Sequence, residues 1–278
     1  TNTAVKIVSA RDLWFQIIQT RMETGEPYIV NIDTCNEALP EEQKKLGLEI
    51  KQSNLCSEIT LPTNEERTAV CCLSSVNLEH FDAWSVNDTF ISDLVTMLDN
   101  VLEHFIDSVK DRGGYSKAAY SAMRERSIGL GAMGFHSYLQ QNNIPFESMY
   151  AASFNNKAFS LIKNRADITT RILGTERGEA PDMKGSGKRN AHLLAVAPNA
   201  SSSIICGGTS PSIEPNRANV YTHKTLTGSF KVRNKYLDDL LFELMPNVKK
   251  REEIWKDIAA HEGSVQHLDI LPDSQKEL

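Results

Sequence analysis

The sequence predicts an α/β protein, and three observations carry that expectation. Short apolar, β-branched runs alternate with longer stretches of helical period along the chain. The composition, 40% hydrophobic and 24% charged over 278 residues, is that of a folded chain able to bury a substantial core. Strand runs separated by helices, rather than gathered together, favour crossover units in a sheet or a barrel. The pattern does not choose between the two.

The elements follow in chain order. ARDLWFQIIQTRMETG reads as an amphipathic helix with Leu13, Ile17 and Met22 on one side and Gly25 as its stop. PYIVNID reads as a short buried strand leading into a polar loop, TCNEALPEE. TAVCCLSSVNL is a second strand. The clearest helix is SDLVTMLDNVLEHFIDSVKDRGG, with Leu94, Leu98, Val101, Leu102, Phe105 and Val109 as its apolar stripe and Gly113 and Gly114 as its end. MRERSIGLGAMGFHSYLQQ and YAASFNNKAFSLIKNRADITTRIL are both expected to be helical. NAHLLAVAP is a strand candidate running into NASSSIICGG, and two helices follow around NKYLDDLLFELM and KREEIWKDIAAH. TNTAVKIVSARDLW and EGSVQHLDILPDSQKEL begin and end abruptly, as cuts through a larger protein would.

Bulk properties exclude several classes. The net charge of −6 offers no basic surface for nucleic acid. No run approaches membrane-spanning length and no signal-peptide pattern is present, so a cytoplasmic protein is expected. The five cysteines, Cys35, Cys56, Cys71, Cys72 and Cys206, are an odd number without a CxxC pair. They argue for catalysis, redox work or burial rather than a disulfide framework. His261 and His267 lie six apart, neither a helical pair nor a finger spacing, so no metal site is expected.

Motifs narrow the choice. GLGAMG, from Gly129 to Gly134, matches the dinucleotide fingerprint in letters. It lacks the preceding strand and the later acidic residue that the fingerprint needs, so its small residues are expected to let helices pack closely. A nicotinamide-dependent dehydrogenase using these glycines is the alternative. KGSGKRN fails as a phosphate loop, with Asp182 where the first glycine should stand and Arg189 where Ser or Thr should follow the lysine. APNASSSIICGG reads as strand, turn and helix start. Free N–H groups at 199–203 with the hydroxyls of Ser201 and Ser202 would make an anion cradle or, equally, an ordinary serine N-cap.

The stretch SNLCSEITLPT places Asn54, Cys56 and Glu58 at alternating positions. In an extended segment these three would share one face, with Leu55 and Ser57 turned away. Glu58 is a poor neighbour for a thiolate nucleophile, because a carboxylate raises a thiol pKa. A thiol that loses a hydrogen atom meets no such objection. Cys71 and Cys72 are adjacent on a strand, so at most one of them faces a site shared with Cys56.

These residues resemble the large, catalytic subunit of ribonucleotide reductase. GEPYIVNIDTCN, SNLCSEITLPT, AVCCLSSVNL, PNASSSI, GGTSPSIEPNRAN and EGSVQHLD look like family blocks in family order across essentially the whole chain. They look more like the oxygen-dependent class I enzymes than class II. The resemblance implies part of a ten-stranded α/β barrel with surrounding helices. It implies that Cys56 becomes a thiyl radical that abstracts the 3′ hydrogen of the ribose, that Glu58 takes the 3′-hydroxyl proton, and that Asn54 binds substrate and orients that carboxylate. Cys71 corresponds to one member of the redox pair. Asn199, Ala200, Ser201 and Ser202 correspond to the diphosphate loop, and Ser53 joins them as a substrate-binding residue.

The same resemblance sets what residues 1–278 are expected to need. The second redox cysteine, the effector-reading loops and any ATP-binding cone belong upstream in the family. The tyrosine pair that relays the radical and the cysteine-bearing tail belong downstream, and none of the tyrosines here are adjacent. The expectation is a partial catalytic barrel domain, inactive alone, that binds no cofactor itself. Its expected partners are the upstream portion of the subunit, a metal-containing radical-generating small subunit, a ribonucleoside diphosphate and a thioredoxin- or glutaredoxin-type reductant. A non-catalytic scaffold or assembly fragment of the reductase is the rival reading.

Overall fold

The computed structural model describes residues 7–225 and 228–278, so the abrupt start read at residues 1–6 lies outside it. Helix α1, Ala10–Thr24, starts where Ser9 Oγ accepts from Asp12 N and stops where Gly25 takes a left-handed conformation and its N–H reaches the Arg21 carbonyl. Its bounds match the sequence expectation, yet the helix buries none of its residues.

PYIVNID is not a buried strand. Tyr28, Ile29 and Val30 are exposed, and Ile32–Glu37 coils into helix α2. A strand needs a neighbour to take its backbone groups, and no described segment pairs with this one. The expected polar loop is also helical in part, with α3 at Glu41–Lys45 following Pro40. Asn36 holds the stretch down: its amide donates to the Ile50 carbonyl at 2.9 Å and accepts from Ile50 N at 2.8 Å.

Strand β1, Cys72–Asn77, ends in a 3₁₀ turn and then α4, Phe81–Ser85. The long helix α5 spans Phe90–Val109 and buries Ile91, Val95, Leu98, Leu102, Ile106 and Val109. The expected stripe is therefore rotated slightly. Val101 is 47% exposed, and the helix ends at Lys110, before the glycine pair. Helix α6, Ser116–Glu125, closes with Arg126 in the left-handed region.

GLGAMG then departs from expectation. It forms β2, Ile128–Met133, buried along its whole length and parallel to β1 in the register Cys72↔Ile128 to Asn77↔Met133. Residues 192–195 run along its other edge: Ile128 N donates to His192 O at 3.0 Å and Leu130 N to Leu193 O at 2.8 Å. This is the strand candidate NAHLLAVAP, held by a single parallel bridge, Leu130↔Leu194. The glycines let these neighbours approach. A Cβ at Gly129 would meet Leu73 Cδ2 at 2.4 Å, and one at Gly131 would meet the Ala195 carbonyl at 2.3 Å. A strand squeezed on both sides reads as small and apolar throughout, which sequence periodicity does not separate from a helix.

Helix α7, Phe135–Gln141, follows Gly134, and the 29-residue helix α8, Met149–Arg177, lies across α5. Together they close a core around Phe81, Leu98, Leu130, Leu139, Phe154 and Ile162. Three aromatic rings meet edge-on or stacked there, Phe81, Tyr138 and Phe154. Helix α9 is short, Ala200–Ile205. A second core is built by the antiparallel hairpin β3 (Val220–Thr225) and β4 (Gly228–Arg233) with α10 (Lys235–Leu244) and α11 (Val248–Ala260). Leu241, Trp255, Ile258 and Leu271 are its centre, and α12, Asp273–Lys276, ends the fold.

Candidate functional site

Residues 51–73 shape a cleft of about 640 Å³ whose lining includes Ser53, Asn54, Thr63, Arg67, Thr68 and Cys71. Its rim is a turn, not an extended strand. Ser57 N donates to the Asn54 carbonyl at 3.1 Å and Ser57 has φ 62°, so the chain reverses between Asn54 and Ser57. The single-face alternation of Asn54, Cys56 and Glu58 expected from sequence does not form. Asn54 closes the turn instead, its Oδ1 accepting from Ile59 N at 3.1 Å, while Ser53 Oγ donates to Ile59 O at 2.7 Å. Asn and Ser side chains compete for backbone partners in this way and draw chains out of regular structure.

The turn leaves Cys56 exposed at its tip, beside a 91%-exposed Leu55. Glu58 is drawn inward, and its Oε2 is buried with no hydrogen-bond partner among the described residues. Cys71 sits at the foot of β1, where a Cβ on Gly129 would come within 3.1 Å of its Sγ. Alternation along β1 separates the two adjacent cysteines as expected: Cys71 faces the cleft, and Cys72 packs on the core. Burial pushes the Cys71 thiol up to about 12, helped by Cys72, Glu125 and Glu58. Cys71 is therefore a protonated thiol at neutral pH, suited to donating hydrogen or a proton rather than to attacking as an anion.

Beneath the cleft lies a polar floor that sequence reading missed. Arg67, 6% exposed, donates to Asp182 Oδ2 at 2.6 Å, and Arg124 Nη2 lies 2.6 Å from Oδ1 in an ion-pair contact off the hydrogen-bond line. Glu125 accepts from Ser121 at 3.0 Å and from Gln43 at 3.3 Å. No spacing could have signalled this group, since Arg67 and Asp182 are 115 residues apart. Burial raises the Glu125 carboxyl to about 7, against the pull of Ser121, Arg67 and Gln43.

The shift at Glu125 makes a pH prediction. A carboxyl held above its unfolded value stabilises the fold fully below the unfolded pKa, and that stability is lost as pH rises through about 7. Glu125→Gln removes the loss, so unfolding free energy of the variant relative to the parent should rise by about 3 kcal/mol between acid and slightly alkaline pH. His192, pushed down to about 4 by burial, contributes with opposite sign over an overlapping range. The difference between variant and parent in urea melts isolates Glu125, and a flat difference would overturn the assignment.

The remaining sequence candidates lie elsewhere. Asn199 caps the far end of β2, donating to Ala132 O at 3.3 Å and Ala197 O at 2.8 Å. Ala200 lines a separate cavity of about 300 Å³, and Ser201 and Ser202 are exposed on α9. Asn199 thus meets β2 about five residues of strand, roughly 15 Å, beyond the level of Cys71.

Two other motifs are filled by the chain itself. Gly134 N and Phe135 N, at the start of α7, donate to the carbonyls of Ser210 and Ser212. With Gly129 and Gly131 pressed against Leu73 and Ala195, no room is left at GLGAMG for a dinucleotide, and helix α6 rather than a strand precedes it, as expected. In KGSGKRN the N–H groups of Gly185 and Gly187 hold the Glu179 carboxylate. His261 and His267, dismissed by their spacing, converge on Asp257.

Comparison with known proteins follows this geometry. A family model described as the ribonucleotide reductase barrel domain matches residues 1–187 and 181–278. The chain is 51% identical over 278 residues to the ribonucleoside-diphosphate reductase large subunit of Invertebrate iridescent virus 3, covering 100% of this chain and 44% of that protein. It is 31% identical over 309 residues to the corresponding large subunit of Danio rerio, covering 99% and 38%. Among solved structures, it is similar to the alpha subunit of the Actinobacillus ureae class Id ribonucleotide reductase, with a TM-score of 0.88 at 39% identity, over 96% of this chain and 49% of that one. The chain thus spans less than half the length of these relatives. Among the described residues, no helix is long and apolar enough to cross a membrane.

Proposed function

The chain belongs to the ribonucleotide reductase barrel-domain family, and from that premise we propose that it carries the thiyl-radical centre of a ribonucleoside-diphosphate reductase. In this reading it is a portion of a cytoplasmic catalytic subunit, inactive until the remaining segments and a metal-containing radical-generating subunit join it. That partner would supply the radical, and this chain's residues would act on the ribose with one further cysteine from the upstream portion.

Cys56, as a thiyl, takes the 3′ hydrogen of the ribose and becomes a thiol. Glu58 accepts the 3′-hydroxyl proton, and the 2′-hydroxyl leaves as water. Cys71 and a second cysteine from the upstream portion supply two electrons and two protons, one to the leaving water and one to the 2′ carbon, and end as a disulfide that an external thiol reductant reopens; Cys56 then returns its hydrogen to the 3′ carbon and is a thiyl again. Asn54 and Ser53 hold the sugar, and the segment from Asn199 to Ser202 holds the diphosphate. The observation that carries the reading is the shared cleft. Ser53, Asn54 and Cys71 line it together, and the Glu58 carboxylate is close enough to raise the Cys71 thiol. A nearby unpartnered carboxylate oxygen suits a group that waits for a substrate hydroxyl.

The test is product formation. The chain is assayed with a ribonucleoside diphosphate alone, then with the upstream polypeptide, a radical-generating subunit, a C-terminal segment in trans and dithiothreitol. A deoxyribonucleoside diphosphate is expected only from the complete mixture. A stable complex without product would favour the scaffold reading.

A further inference from the structure

We propose that Asp257, His261 and His267 form a divalent transition-metal site that staples the end of α11 to the turn that follows it. One helical turn separates Asp257 from His261, which puts both on the same face of the last turn of α11. The chain then folds back over that end. Gly263, with φ 86°, donates to the Ile258 carbonyl at 2.9 Å, and Ser264 N donates to His261 O at 3.0 Å. Val265 and Leu268 bury themselves in the second core on either side of His267. Their burial fixes where His267 must lie.

It lies against the other two. His267 Nε2 is 2.9 Å from Asp257 Oδ2, and His261 Nδ1 is 3.3 Å from Asp257 Oδ1. The two imidazoles stack at 3.7 Å with 23° between their planes. One ligand atom from each of the three residues falls within 4.8 Å of the others. Turning these exposed side chains out of the stack would bring such atoms to the roughly 2.0–2.2 Å that zinc bonds to nitrogen and oxygen require. A divalent ion would bind both rings in the neutral state. Two imidazoles and one carboxylate make a borderline donor set, which selects zinc, nickel or copper over magnesium or calcium.

A bound ion would also brace a wall of a neighbouring cavity. Glu262, Gly263 and Ser264, between the two histidines, line this space of about 770 Å³ together with Asn216 and Arg217. Holding the 261–267 turn would hold that wall.

The test is a titration of the full chain with Zn²⁺ against a chromophoric chelator, its cysteines alkylated to remove competing thiols. About one equivalent is expected to bind with a Kd on the order of 1 μM. His267→Gln and Asp257→Asn should each weaken binding at least about 10-fold, with unchanged far-UV circular dichroism. Zn²⁺ at about 100 times Kd should raise Tm by roughly 5 °C in the parent and not in His267→Gln. Co²⁺ in place of Zn²⁺ should show visible absorption that His267→Gln abolishes. No binding at about 100 μM Zn²⁺, or binding indifferent to His267→Gln, would overturn the site. None of these readouts involves turnover, so the outcome is independent of the proposed reductase activity.

Discussion

Cys56→Ser is expected to abolish deoxynucleotide formation in the reconstituted mixture, with a loss of at least about 10³-fold, or about 4 kcal/mol of transition-state stabilisation. A hydroxyl holds its hydrogen far more tightly than a thiol does. Serine therefore cannot be oxidised to the radical that would abstract the ribose hydrogen, although it fills nearly the same space. Since Cys56 is exposed at the tip of a turn, the substitution should leave stability within about 0.5 kcal/mol of the parent. That separates chemistry from folding. Glu58→Gln should cost less, about 10²–10⁴-fold, the usual worth of a positioned acid or base. Retained product with Cys56→Ser would sink the radical assignment outright. Retained product with Glu58→Gln alone would move the base to another group near the cleft.

Asp182→Ala should destabilise the fold by about 3–5 kcal/mol, measured as a shift of the urea midpoint at unchanged slope. Asp182 is buried and faces both Arg67 and Arg124, and its loss leaves the 6%-exposed Arg67 guanidinium without its paired carboxylate. The large cost comes from that stranded charge. The intact pair is worth little over an apolar replacement, because both charges had to leave water. Replacing Arg67 and Asp182 together by Met and Leu should therefore recover most of the loss. A single-variant cost below about 1 kcal/mol would mean that water reaches the site and the floor is not sealed. The same measurement bears on function, since Arg67 lines the cleft that Cys71 faces.

The buried polar group around Asp99 on α5 follows the same logic. Burial pushes the Asp99 carboxyl up, while Arg126, Arg189 and Arg177 together hold it below the usual range. Asn190 adds a bond to Asp99 Oδ1 at 3.1 Å and one to the Arg126 carbonyl at 2.9 Å. This network ties α5, the left-handed exit from α6, the end of α8 and the approach to residues 192–195. It is why Arg126 can break the helix there and start β2.

The sequence alone determined what depends on near neighbours. Helices α1, α5, α8, α10 and α11 and strand β1 were legible because 3.6-residue and two-residue periods, serine and asparagine caps and a stop glycine act within a turn or two. The separation of Cys71 from Cys72 was legible for the same reason. So was the family, because SNLCSEITLPT and its companion blocks identify themselves in letters. Tertiary structure decided the rest. GLGAMG is a strand only because β1 and residues 192–195 offer hydrogen bonds on both sides, and PYIVNID, with no such partner among the described residues, is not one. The 54–57 turn depends on side chains bonding backbone, which no period records. The Arg67–Asp182 floor and the meeting of His267 with Asp257 depend on contacts across the fold. Local periodicity reports what a segment prefers, and only the packed chain supplies the partners that satisfy its polar groups.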